Sequence, residues 1–171
     1  MKQLRDNQVI MSDNFFVLCQ QLGKACVARG VCIAIAESCT GGTVASVITD
    51  APGSSAWFNG SAVVYSNLAK TNLLNVSSEL IQTHGAVSEP VAIAMANGAL
   101  EKFQADVAVS ITGVAGPAGG TKEKPVGMVC IALADKKQNA TIAKTVYFTS
   151  GREYIRRCAT AFVLQWLIAA I

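Results

Sequence analysis

The sequence predicts a single-domain α/β fold, a three-layer α/β/α sandwich around a mixed, mainly parallel sheet. Three observations lead there. Short apolar runs that suit strands alternate with longer amphipathic stretches that suit helices, an order that places helices on both faces of one sheet. Residues 31–36, Val-Cys-Ile-Ala-Ile-Ala, form an unbroken apolar run, the pattern of a strand buried on both faces. The chain has 171 residues, 51% hydrophobic and 15% charged, enough to build one sizeable core.

Each element follows in order. Residues 1–12 are expected to be an N-terminal extension, and 13–171 the folded domain. Residues 13–29 predict an amphipathic helix capped by Ser12 or Asp13 and stopped at Gly30. The strand at 31–36 is followed by a helix at 43–49, and Pro52-Gly53-Ser54-Ser55 is a loop. A strand at 62–65 leads into a short helix at 67–74. Ser88 is expected to cap a long helix reaching about Phe103, with Glu89 and Pro90 in its first turn. Residues 107–111 make a third buried strand, and 112–125 a loop rich in glycine and proline. Strands at 126–133 and 141–148 are antiparallel neighbours, because their connection is short. A terminal helix runs from Arg152.

Composition narrows the function. A net charge of +3 without a basic run suits an anionic small molecule and argues against nucleic acid. Six cysteines form no Cys-x-x-Cys pair and the chain has one histidine, so no zinc site is expected. Most of the cysteines lie among apolar residues, where they act as small hydrophobes. No secretory pattern opens the chain, and the apolar stretch 159–171 is too short for a membrane span. A reducing, cytoplasmic compartment is the expectation.

Three loops carry candidate chemistry. In Ala36-Glu37-Ser38-Cys39-Thr40-Gly41-Gly42, a serine follows a buried strand, where open α/β sheets place ligands. Backbone N–H groups of Thr40, Gly41 and Gly42, together with the positive end of the next helix, are the parts of an oxyanion hole. The same segment also suits an ordinary strand-to-helix turn with Ser38 or Thr40 as its cap. In Tyr65-Ser66-Asn67-Leu68-Ala69-Lys70, Lys70 could serve Ser38 as a base if burial keeps it neutral, and Tyr65 could relay a proton. Most helical lysines are simply solvated. The third loop, Thr112-Gly113-Val114-Ala115-Gly116-Pro117-Ala118-Gly119-Gly120-Thr121, suits a phosphate nest but matches neither a P-loop nor a dinucleotide fingerprint. A plain surface loop would have the same composition.

Taken in chain order, these segments resemble the CinA C-terminal family, the PncC-type nicotinamide-nucleotide amidases. The resemblance rests on the first two loops, on Gly85-Ala86-Val87-Ser88-Glu89, on Thr112-Gly113-Val114-Ala115-Gly116-Pro117 with Gly119-Gly120, and on Lys124-Pro125-Val126-Gly127. It spans roughly residues 13–168 and implies a stand-alone form of that family's α/β domain. It implies deamidation of nicotinamide mononucleotide to nicotinic acid mononucleotide and ammonia, without metal or other cofactor, by a Ser-Lys-Tyr mechanism. Carried over, those roles fall on Ser38, Lys70 and Tyr65. Thr112, Gly113, Gly116, Gly119, Gly120 and Arg152 would hold the anionic nucleotide. A homo-oligomer, with a dimer favoured, and no nucleic-acid or membrane partner are expected.

Two departures stand out: Ser61 replaces the family's usual glycine, and Ser150-Gly151-Arg152 replaces its Gly-Asp-Arg. They keep a second function class open, a weak or inactive relative serving as a nucleotide-binding or regulatory module. Cys39 invites a thiol-nucleophile reading but has no evident base, so packing is its expected role. His84 is expected at a helix C-terminus, and a Ser38–His84 pair would lack an orienting acid. Glu37 and Glu89 could bind ribose hydroxyls or cap helices, and Asp106 is expected to be structural.

Overall fold

A computed structural model of the chain describes residues 15–171. The expected caps Ser12 and Asp13, and the extension 1–12, lie outside the described residues. The elements run α1 (Phe15–Arg29), β1 (Ile33–Glu37), α2 (Thr43–Thr49), β2 (Phe58–Val63), α3 (Asn67–Leu74), α4 (Ser78–His84), α5 (Glu89–Lys102), β3 (Val107–Gly113), β4 (Met128–Asp135), β5 (Ala140–Tyr147) and α6 (Arg152–Ala170).

The five strands form one mixed sheet in the order β2-β1-β3-β4-β5. β1 pairs in parallel with β2 and β3, while β3–β4 and β4–β5 pair antiparallel. The two faces of the sheet differ in side-chain size. Ile33, Ile35, Val109, Ile111 and Ile131 pack with α1, α2 and α6, whose Leu22, Ile48, Ile155 and Leu164 join the same cluster. On the other face Ala34, Ala36, Ala108, Ala132 and Ala134 let α5 lie close, with Met95, Ala96 and Ala99 against them. Small side chains bring the helix near the sheet, and branched ones fill the wider gap opposite. No helix among the described residues is long and apolar enough to cross a membrane.

Some expectations shift. β2 spans Phe58–Val63 rather than 62–65, so Tyr65 stands beyond the strand. It is an edge strand with a mixed burial pattern, so no apolar run marks it. Ser88 occupies the N-cap position of α5 but makes no side-chain capping bond; its hydroxyl donates to Gly85 O at 2.9 Å. Glu89 does not cap either, because its Oε1 accepts from Thr145 Oγ1 at 2.7 Å. The helix C-terminus expected at His84 is the end of α4. Asp106 Oδ2 accepts from Cys32 N–H at 2.8 Å and ties the start of β3 to that of β1.

Candidate active site

Parallel strands deliver their C-terminal ends to one edge of the sheet, and Ser38 emerges there from β1. Its N–H donates to Ile111 O of β3 at 2.9 Å, so the serine is held to two adjacent strands. The same edge receives the segment after β2, where Ser66 caps α3 by accepting from Ala69 N–H. That cap starts the helix early enough for Lys70 to turn inward from its first turn.

Lys70 is 1% exposed, among the largest fully buried side chains of the protein. Its Nζ lies 3.0 Å from Ser38 Oγ, 2.8 Å from Val64 O and 3.4 Å from Tyr65 O. Burial disfavours the ammonium and lowers its pKa from the ordinary lysine value. In this geometry Nζ donates to the serine hydroxyl; once deprotonated, it would give its two N–H bonds to the carbonyls and leave its lone pair facing Ser38 Oγ. Cys39, beside the serine, packs into the larger core cluster, and burial pushes its thiol up to about 12. That leaves the thiolate needed for attack essentially unpopulated at neutral pH.

Glu37 shapes the turn. Its carboxylate is wholly buried and accepts from Gly42 N–H at 2.9 Å, Val44 N–H at 3.1 Å and Ala45 N–H at 2.9 Å. Ser61 Oγ donates to the same carboxylate at 3.3 Å. The amide of Gly42, expected as an oxyanion donor, is therefore engaged, and Gly41 N–H donates to Ser38 O at 3.0 Å. Both glycines have positive φ, 59° and 93°, which the turn requires. The N–H groups of Cys39 and Thr40 donate to no other residue among those described. Thr40 Oγ1 is buried without a partner.

The nucleotide-binding candidates divide. Arg152 Nη1 donates to Gly116 O at 2.9 Å and its Nη2 to Tyr65 Oη at 3.1 Å, joining the glycine-rich loop to the segment after β2. Gly119 and Gly120 sit exposed in that loop. Thr112 is turned away, buried and donating to Ala86 O at 2.8 Å. Gly113 belongs to β3, where a Cβ would meet Met128 O at 2.8 Å, so its lack of a side chain serves packing. Tyr65 is 60% exposed at the rim, and its hydroxyl bonds to Arg152, not to Ser38 or Lys70. No hydrogen bond links His84 to Ser38 among the described residues. No group of three or more His, Cys, Asp or Glu there is placed to hold a metal ion.

Two contributors gave little sequence signal. Arg156 Nη2 donates to Thr40 O at 2.6 Å and Thr43 Oγ1 at 2.8 Å, fastening the turn to α6. It stands one helical turn after Arg152, the only available hint. Ser61 was visible only as a departure from the family pattern.

Comparison with known proteins identifies the family. The model of the CinA C-terminal domain matches residues 17–171. The chain belongs to the CinA C-terminal domain family. Among curated relatives of this CinA domain is the Nicotinamide-nucleotide amidohydrolase PncC of Escherichia coli K12, 52% identical over 150 residues that cover 88% of this chain and 90% of the relative. A CinA-like protein of Mycolicibacterium gilvum is 51% identical over 149 residues, 86% of this chain but 35% of that longer protein. Of solved structures, a CinA superfamily protein from Escherichia coli superposes with a TM-score of 0.89 at 30% identity, covering 100% of both chains. A competence damage-inducible protein A from Klebsiella pneumoniae gives 0.88 at 32% identity, covering 92% of this chain and 96% of the other.

Proposed function

We propose that this chain is a nicotinamide-nucleotide amidohydrolase in which Ser38 is the nucleophile and Lys70 its base. The buried Lys70 amine 3.0 Å from Ser38 Oγ carries the reading, since it combines a hydroxyl with a neighbour able to take its proton. The PncC name of relatives at 52% identity supports the substrate.

Lys70 accepts the Ser38 proton as Oγ attacks the carboxamide carbon. The oxygen that becomes negative lies toward the Cys39 and Thr40 N–H groups, whose lack of another acceptor suits that role. The ammonium of Lys70 then gives its proton to the departing nitrogen, which leaves as ammonia. Water, deprotonated by the same amine, cleaves the Ser38 ester and releases nicotinic acid mononucleotide. Arg152, with Gly116, Gly119 and Gly120, holds the phosphate, and Tyr65 lines the entrance.

The alternative, a binding module without turnover, is disfavoured because the two departures leave the Ser38–Lys70 pair intact. Ser61 points to Glu37, and Gly151 caps α6 with open space around it. We also place the enzyme in the cytoplasm as a homodimer. Ammonia release from nicotinamide mononucleotide by purified protein, absent in Ser38→Ala, tests the activity; no release from the wild type overturns it. Sedimentation as a monomer at micromolar concentration overturns the dimer.

A further inference from the structure

Glu37 is buried with no Lys or Arg paired to it among the described residues. A carboxylate in that setting is costly unless donors fill its lone pairs. Here four do, and they come from two elements. Gly42, Val44 and Ala45 are the entry to α2, and Ser61 belongs to the edge strand β2. The backbone of Glu37 is itself fixed, paired with Val63 on one side and Ile111 on the other. Residues 38–41 are thus strapped between a rigid strand end and a helix whose first amides are held by the residue preceding the nucleophile.

That arrangement has a chemical consequence. The amides at the start of a helix ordinarily attract an external anion. In this protein an internal carboxylate already occupies them, so the substrate's phosphate is directed to Arg152 and the glycine-rich loop, and the oxyanion to Cys39 and Thr40.

We propose that Glu37, adjusted by Ser61, is a positioning residue for the nucleophile: it holds the turn that sets Ser38 Oγ against Lys70 Nζ. The proposal rests on Ser38 being the nucleophile. Glutamine at position 37 is isosteric but has one acceptor oxygen. If that oxygen takes the Gly42 and Val44 amides, its NH2 group faces the Ala45 N–H, donor against donor, while Ser61 can reverse and accept. The turn then shifts although little volume changes.

Purified full-length wild type, Glu37→Gln, Ser61→Ala and Ser38→Ala provide the test. Ammonia release from nicotinamide mononucleotide gives kcat and KM. The rate of covalent labelling by a fluorophosphonate reads serine reactivity without that substrate, and thermal midpoints give the folded fraction. Glu37→Gln is expected to lower kcat roughly tenfold or more with KM within about twofold, and labelling should fall in parallel. Ser61→Ala should show a smaller loss, about two- to fivefold, in the same two readouts. A folded Glu37→Gln with wild-type kcat and labelling overturns the proposal, as does a change confined to KM. If Glu37→Gln does not fold, unchanged kcat and labelling in Ser61→Ala overturns it instead. Wild type that is labelled at Ser38 but releases no ammonia defeats the substrate assignment alone, and the labelling rates still decide this proposal. Equal labelling of Ser38→Ala removes the nucleophile and the proposal together.

Discussion

Lys70 Nζ and Ser38 Oγ stand 3.0 Å apart although 32 positions separate them in the chain. The sheet makes this contact. Parallel pairing of β1 with β2 brings both C-terminal ends to one edge, where Ser38 directly follows β1 and Lys70 stands on α3, the helix after β2. The contact also explains why a lysine can be buried so completely: the Val64 and Tyr65 carbonyls and the serine hydroxyl surround its nitrogen.

Removing the hydroxyl should therefore remove the chemistry and leave the fold. Ser38→Ala is expected to lose several orders of magnitude in kcat, as in other serine hydrolases. Cys39→Ala should keep turnover within a fewfold, since its buried thiol is pushed up to about 12 and lies unionised. A reversed pattern in the ammonia assay would transfer the nucleophile to Cys39.

The lowered pKa of Lys70 ties activity to pH. The rate should rise along a limb below the ordinary lysine value as the ammonium loses its proton. Lys70→Arg should be nearly inactive across the range, because guanidinium keeps its proton. If Lys70→Arg instead retained most of kcat and raised KM, the lysine would be a fixed cation holding phosphate.

Stability should follow the same group, with a definite sign. Folded Lys70 releases its proton at lower pH than the unfolded chain does. Between those two values the unfolded state binds more protons, so stability rises with pH through that window. The contribution is complete above the unfolded value and is lost as pH falls through the folded one. The thermal midpoint of wild type should therefore rise relative to that of Lys70→Met as pH increases through the alkaline range. Parallel profiles would mean that Lys70 titrates alike in both states.

Arg152 and Tyr65 should act as a pair. Arg152→Ala is expected to raise KM about tenfold by removing the proposed phosphate donor, with less effect on kcat. Tyr65→Phe should have a smaller effect, because its hydroxyl meets Arg152 at 3.1 Å rather than the Ser38–Lys70 pair. The double variant should depart from additivity in kcat/KM by about 0.5 kcal/mol or more. Strict additivity would show that the two side chains act separately.

Gly98 offers a test of the fold. Alanine normally strengthens a helix interior by up to about 1 kcal/mol over glycine. At this point of α5, however, a Cβ would lie 2.1 Å from Leu74 O at the end of α3. Gly98→Ala should destabilise by about 1–3 kcal/mol, and calorimetry should record a lower thermal midpoint. A higher midpoint would mean the two helices separate easily.

Local pattern determined a large part of this protein. The continuous apolar run leading into β1, the glycines around the serine turn and the Ser66 cap before Lys70 act over a few residues, so they could be read in one dimension. The chain-order likeness of five short segments pointed to the CinA domain for the same reason. Tertiary structure decided what depends on partners far apart in sequence. Edge strand β2 has no apolar run, and its span follows from pairing with β1. Whether Gly42 offers its amide to a substrate depends on where the Glu37 carboxylate points, and composition does not say. The engagement of Arg156 with Thr40 joins residues 116 positions apart. Lys70 would be one more solvated helical lysine if β1 and β2 did not bring the serine turn over it, because burial, not residue type, lowers its pKa.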